Sequence, residues 1–164
     1  MWVVVTVVAV VVAVATYLTW TATRVDRLHA RAAAAFSALD AQSVRRAAAT
    51  ADLGRDVGLA EAQRAAKAVL AAYPDDREAA ENDLTRTLRA VAGRAEAGEL
   101  LTIEEASRRL ALARQVHSDL VRDALAVRRR PLVRLLRLAR RHPLPRFFDI
   151  DDPTLEDTHD GRHR

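Results

Sequence analysis

Arginine side chains are concentrated between residues 128 and 141 of this 164-residue chain, and arginine is well suited to binding phosphate. Five of them are candidates for binding an anionic lipid or a partner: Arg130, Arg134, Arg137, Arg140 and Arg141. The alternative is a basic patch that binds nucleic acid. The segment lacks interleaved aromatic residues and polar side chains that would read bases, which favours lipid.

Residues suited to catalysis or metal binding do not form a pattern. The chain has no cysteine, no phosphate-binding glycine loop and no HExxH or GxSxG motif, so we expect neither an enzyme nor a cofactor. Thr102–Glu105 matches a capping box at a helix start. His117 is expected to be a satisfied or edge-exposed histidine, since no second ligand lies at helical spacing. His159 and His163 could hold a divalent metal loosely, but an unstructured tail is favoured.

The segment from Trp2 to Thr23 has no charged side chain and predicts a transmembrane helix. At about 1.5 Å rise per residue it is roughly 33 Å long, close to the hydrocarbon thickness of a bilayer. The predicted interface residues are Trp2, Tyr17, Trp20, Arg24 and Arg27. A cleaved signal peptide is the alternative, but no basic residue precedes the apolar run, which continues past the small residues around Val14.

The flanks of this span predict its orientation. Arg24, Arg27 and Arg31 follow it directly, and basic residues resist translocation. We therefore expect a single-pass protein of the plasma or inner membrane, with its N-terminus outside and the rest of the chain in the cytoplasm.

The remaining chain predicts helices only, because it is rich in Ala, Leu, Arg and Glu and shows no strand pattern. The first helix continues from the span to Asp52, and further helices are expected over 59–73, from 75 or 76 to 98, and from Thr102. Short turns favour an antiparallel bundle. The fourth helix carries the clearest stripe: Ile103, Ala106, Leu110, Ala113, His117, Leu120, Ala124 and Val127.

A short basic amphipathic helix is predicted between Pro131 and Pro143. Leu132, Leu135, Leu136 and Ala139 form its apolar face, with arginines opposite. If the fourth helix returns to the membrane, this helix reaches the inner leaflet, where it could contact anionic lipid. The alternative is that its leucines complete the bundle and its arginines form a solvated face.

The predicted organisation has three parts: an anchor over 1–23, a helical bundle over 24–142, and a Pro/aromatic segment with an acidic disordered tail over 143–164. The tail has too little apolar content to fold alone. An alanine-rich, short bundle buries little apolar area, so we expect contacts with a second copy of the chain or with a membrane-protein partner.

Several short strings occur in a characteristic order behind the span. They are Asp40-Ala-Gln42 with Arg45-Arg46, Ala72-Tyr73-Pro74-Asp75, Glu81-Asn82, Ala113-Arg114-Gln115 with Asp119, and Phe147-Phe148-Asp149-Ile150. In this the chain resembles the LemA family. It departs from the family pattern in a short stretch between Arg46 and Tyr73, in added sequence over 93–104, and in having His117 and Ser118 where tyrosine and asparagine are usual. The resemblance implies a membrane-anchored antiparallel bundle with a cytoplasmic domain, and supplies no catalytic residues.

Overall fold

The computed structural model describes residues 1–94 and 97–155, which are helical and contain no strand. The helices are α1 (Trp2–Asp56), α2 (Ala60–Ala71), α3 (Arg77–Val91), α4 (Ala97–Arg128) and α5 (Pro131–Leu135), with 3₁₀ turns at Ala92–Arg94 and Leu138–Arg141. The all-α fold class is thus confirmed for these residues. The antiparallel order of the helices stays a prediction.

Helix α1 runs without a break from the apolar segment to Asp56, since no glycine or proline precedes Gly54. It is long and apolar enough to cross a membrane, and its apolar stretch is not buried by the rest of the chain. Threonine hydroxyls within that stretch donate to carbonyls one turn earlier, as Thr6 does to Trp2 O at 3.0 Å and Thr16 to Val12 O at 2.9 Å. These side chains are therefore compatible with an apolar surrounding.

The turn between α1 and α2 depends on two glycines. A Cβ on Gly54 would lie 2.9 Å from the backbone nitrogen of Gln63, so the two chain segments approach too closely for a side chain. Gly58 has a φ of +74°, which glycine adopts without the steric cost that other residues incur. Helix α1 ends at Asp56, four residues beyond the predicted end at Asp52.

The chain forms two compact units. Among the described residues, unit 1 comprises 1–35 and 118–147, and unit 2 comprises 36–94, 97–117 and 148–155. All four longer helices contribute to the main core of unit 2: Ala47 and Ala51 from α1, Ala62, Ala65, Ala66 and Val69 from α2, Leu84, Leu88 and Val91 from α3, and Leu100 and Ile103 from α4. A second cluster joins Leu39, Leu110, Phe148 and Ile150.

The predicted stripe of α4 is mostly buried, but the predicted start of this helix is wrong. Five stripe residues are buried: Ile103, Leu110, His117, Ala124 and Val127. Helix α4 begins at Ala97, so Thr102 lies in its second turn and caps nothing. The longer helix buries Leu100, and Glu104 and Glu105 pair with Arg108 and Arg109 one turn later instead of closing a capping box.

Residues 148–155 belong to unit 2, which corrects the predicted boundary of the acidic tail. Phe148, Ile150 and Pro153 are buried in this segment, and the backbone nitrogen of Asp151 donates to Asn82 Oδ1 at 2.7 Å. The segment packs its apolar side chains into unit 2, and its carbonyls at Asp152 and Pro153 accept hydrogen bonds from Arg89 and Arg46. The rest of the tail, including His159 and His163, lies outside the described residues.

Candidate membrane interface

The segment from Arg128 to His142, the basic segment, packs within unit 1 on the part of α1 that follows the apolar stretch. Val133 and Ala139 of this segment share a buried cluster with Val25 of α1 and Val127 of α4. Leu28 and Leu138 pack against its edge. Val25 lies two residues beyond Thr23, so the packing holds the basic segment beside the polar end of the candidate span.

The basic segment is not the single amphipathic helix that its sequence predicts. Helix α5 stops at Leu135, Arg137 has a left-handed φ of 52°, and a 3₁₀ turn follows from Leu138. Val133 and Ala139 are six residues apart, which would place them about 120° apart around one helix, on different faces. The break at Arg137 allows both side chains to enter the same cluster, and this packing offsets the cost of a left-handed arginine.

The leucines of the segment are exposed. Leu132, Leu135 and Leu136 retain 42%, 77% and 41% of their accessible surface. Of the predicted apolar face only Ala139 is buried within the described residues. Three adjacent apolar side chains are left at the surface next to the end of the candidate span.

All five candidate arginines, Arg130, Arg134, Arg137, Arg140 and Arg141, are exposed. None of them has an acidic partner among the described residues, whereas some exposed arginines of α3 and α4 pair with a carboxylate on the same helix, as Arg122 does with Asp119 and Arg86 with Asp83. Of the predicted interface residues, Trp2 and Arg27 are exposed, and Arg24 lies over the ring of Trp20 at 5.6 Å from its centroid. Tyr17 is 6.2 Å from Trp20 between ring centroids.

Two histidines join the basic segment to α1, and sequence inspection missed both. The rings of His29 and His142 stack with centroids 4.6 Å apart, and His142 Nε2 lies 2.7 Å from Asp26 Oδ1. Arg128 Nη1 is 3.1 Å from His29 Nε2 and also donates to the carbonyl of His142 at 3.1 Å. The two histidines are 113 residues apart, so no local pattern in the sequence indicates that they meet.

A buried polar network in unit 2 was also missed. Arg46 Nη1 donates to Glu81 Oε2 at 2.7 Å and to Thr85 Oγ1 at 3.0 Å, and both partners of the ion pair are fully buried. Arg46 Nε donates to Ser107 Oγ at 3.0 Å, and Ser43 Oγ donates to Glu81 Oε1 at 2.5 Å. Burial lowers the pKa of the Arg46 guanidinium, and Glu81 opposes this effect. The network fixes how α1, α3 and α4 meet in unit 2.

His117 is buried, and its Nδ1 has no hydrogen-bond partner in the part of the chain that the structure describes. The prediction of a satisfied or edge-exposed histidine is therefore wrong. Its ring lies 5.7 Å from that of Phe36, and burial lowers its pKa. Residues 1–94 and 97–155 contain no group of three or more His, Asp or Glu side chains placed to hold a metal ion.

Comparison with protein-family models, with curated proteins and with solved structures gave no match to this chain. The resemblance to the LemA family therefore stays a prediction.

Proposed function

We propose that this chain is a single-pass protein of the plasma or inner membrane that acts as a non-enzymatic scaffold or interaction protein. In this proposal its basic segment contacts anionic lipid headgroups at the inner leaflet. The supporting observation is the packing of the basic segment beside Val25, with unpaired arginines and exposed leucines together. Arginine at such a position gains about 1 kcal/mol from an anionic leaflet, and leucine can enter the headgroup boundary.

The proposed orientation predicts that the polar part of α4 is shielded in intact cells. Because the chain has no cysteine, one cysteine placed at the exposed Gln115 and another at the exposed Ala126 report the side directly. Both single-cysteine variants should resist a membrane-impermeant maleimide in intact cells, react after lysis, and remain in the membrane fraction. Reaction in intact cells would reverse the orientation.

The proposed lipid contact predicts a response to lipid charge at Leu135. We would attach an environment-sensitive fluorophore to a single cysteine at this position, in the full chain reconstituted in nanodiscs. Adding phosphatidylglycerol to phosphatidylcholine discs should shift the emission to the blue. Replacing Arg134, Arg137, Arg140 and Arg141 together by Gln should abolish the shift, because it removes on the order of 4 kcal/mol of lipid attraction.

The control for this experiment replaces exposed arginines that have helical acid partners. The triple change Arg86→Gln, Arg109→Gln and Arg122→Gln should leave the emission shift at Leu135 intact. A probe at Leu135 that stays in water in both kinds of disc would contradict the proposal. A shift that survives the loss of the four basic-segment arginines would contradict it as well.

We also propose that the helices of unit 2 form an antiparallel bundle of the LemA kind. Support comes from the strings that carry the resemblance, because some of them meet in unit 2 although they are far apart in sequence. Arg46 pairs with Glu81, and Arg77 joins two further strings by binding both Asp40 and the carbonyl of Ala72. In related chains Arg46 and Glu81 should change together if the pair defines the family fold. Lateral contacts with a second copy or another membrane protein are part of this proposal, since the unit is rich in alanine.

A further inference from the structure

Four side chains from three parts of unit 1 form a cluster at the end of the basic segment. Asp26 and His29 are on α1, Arg128 is the last residue of α4, and His142 follows the 3₁₀ turn. We call these four residues the His29 cluster. Arg128 holds the chain here, because it donates to the carbonyls of His142 at 3.1 Å and Pro143 at 3.4 Å as well as to His29.

The partners of His29 fix its protonation state. His29 Nδ1 lies 2.9 Å from the carbonyl oxygen of Val25, which can only accept, so Nδ1 carries a hydrogen and donates it. Arg128 can only donate, so Nε2 of His29 must offer its lone pair. The closed cluster therefore requires a neutral His29. His142 Nε2 faces Asp26, which accepts its hydrogen.

A proton on His29 Nε2 would turn the acceptor into a donor that faces the donating guanidinium of Arg128. It would also place an imidazolium beside Arg128 and against the stacked ring of His142. Among the described groups that face His29, the acidic one is Asp26. Asp26 already accepts a hydrogen bond from His142. Protonation therefore breaks the hydrogen bond between Arg128 and His29 and places two positive charges side by side.

The sign of the effect follows from these contacts. Burial, followed by His142 and Arg128, lowers the pKa of His29 below its ordinary value of 6.5, against the opposing effects of the Val25 carbonyl and Asp26. The open form takes up the proton more readily, so the closed form is fully stable above about pH 6.5 and weakens as the pH falls below it.

We propose that the His29 cluster is a pH-sensitive clamp that releases the basic segment from α1 on acidification and so increases its contact with anionic lipid. This inference rests on the proposed lipid contact for its consequence, but the opening itself does not. The released segment carries its arginines and exposed leucines together.

The opening can be measured in the full chain in phosphatidylcholine nanodiscs, without anionic lipid. One variant carries a single cysteine at the buried Ala139, and the reference carries one at Ala126, which is exposed on α4 of the same unit. Their ratio of reaction rates with a pyridyl disulfide removes the intrinsic effect of pH on thiol chemistry. The ratio should rise as the pH falls from 7.5 to 5.5, because the open form binds a proton at His29 and the closed form does not. The rise is up to about tenfold for each pH unit over which this difference holds.

His29→Gln provides the critical variant, because a glutamine oxygen can accept from Arg128 and cannot take up a proton. The rate ratio in this variant should be independent of pH, whereas His117→Gln in unit 2 should retain the rise. A flat ratio in the otherwise unchanged chain, or an equal rise in His29→Gln, overturns the clamp. If His29→Gln is open at pH 7.5, the ¹⁵N shifts of His29 in the unaltered sequence decide instead. Protonation of Nε2 must then share its midpoint with the opening, and a different midpoint overturns the clamp.

The fluorophore at Leu135 separates this inference from the proposed function. In anionic discs its blue shift should grow on acidification, and the growth should vanish with His29→Gln. Opening at Ala139 without any shift at Leu135 would support the clamp and contradict the lipid contact. An emission shift at Leu135 that does not change with pH, together with a pH-independent ratio of reaction rates at Ala139 and Ala126, would support the lipid contact and overturn the clamp.

Discussion

Replacing Glu81 by Gln is expected to lower the free energy of unfolding of unit 2 by about 3–5 kcal/mol, because it leaves the buried guanidinium of Arg46 without its counter-charge. Glutamine keeps the shape of the side chain, so little of this loss comes from packing. Both members of the pair are fully buried, and water cannot screen the remaining charge. Hydrogen exchange of the Leu84 and Leu88 amides on α3, in the full chain in nanodiscs, measures the effect within this unit.

Two further variants separate the buried charge from the general cost of mutation. The double change Arg46→Met and Glu81→Leu should recover much of the loss, because it removes both charges and fills the space with apolar atoms. Arg86→Gln breaks an exposed pair with Asp83 and should cost less than about 0.5 kcal/mol. A loss below about 1 kcal/mol for Glu81→Gln, or a double variant less stable than the single one, would show that the network does not hold unit 2.

The helices were predictable where the apolar periodicity is clear and no helix-breaking residue interrupts it. The uninterrupted α1 and most of the buried stripe of α4 follow from apolar composition and spacing. The start of α4 was predicted five residues too late, since a capping-box pattern at Thr102 competes with the burial of Leu100. Local patterns cannot decide such a competition, because Leu100 gains its contacts only from other helices.

The Arg46 network had a signal in the sequence that a search for apolar stripes passes over. Ser43, Arg46 and Thr50 occupy the positions at which the apolar stripe of α1 would continue after Leu39. Polar residues also occupy core spacing on the other helices, as Glu81 and Thr85 do around Leu84, and as Ser107 does between Ile103 and Leu110. Matching polar positions on three helices indicate an internal network, since each buried polar group needs a partner.

The break in the basic segment lacked any such signal. Arg137 is not a residue type that favours a left-handed φ, and the leucine spacing on both sides of it fits a helix. The conformation depends on Val25 and Val127, which lie far away in sequence and bury Val133 together with Ala139. The candidate arginines were predicted from their concentration and their helical spacing, but their lack of acidic partners became visible only with the fold.

Replacing Phe148 by Ala is expected to destabilise unit 2 by about 3–5 kcal/mol, the usual cost of removing a buried aromatic ring. Phe148 is buried with Leu39, Leu110 and Ile150, and its ring packs edge-on against Phe36 at 6.1 Å between centroids. The neighbouring Phe147 is 45% exposed, so Phe147→Ala is a matched control that should cost less than about 1 kcal/mol. Hydrogen exchange near Leu39 on α1 and Leu110 on α4 compares the two variants.

The loss should extend from Phe148 into the Arg46 network, because the same segment provides the Pro153 carbonyl that accepts from Arg46 Nη2 at 3.2 Å. Arg89 Nη2 likewise donates to the carbonyl of Asp152 at 2.7 Å. Phe148→Ala should therefore also raise exchange in α3 around Glu81, and combining it with Glu81→Gln should cost less than the sum of the single losses. Equal, small effects of the two phenylalanine changes would mean that the chain after residue 147 is the dispensable tail that its acidic composition predicts.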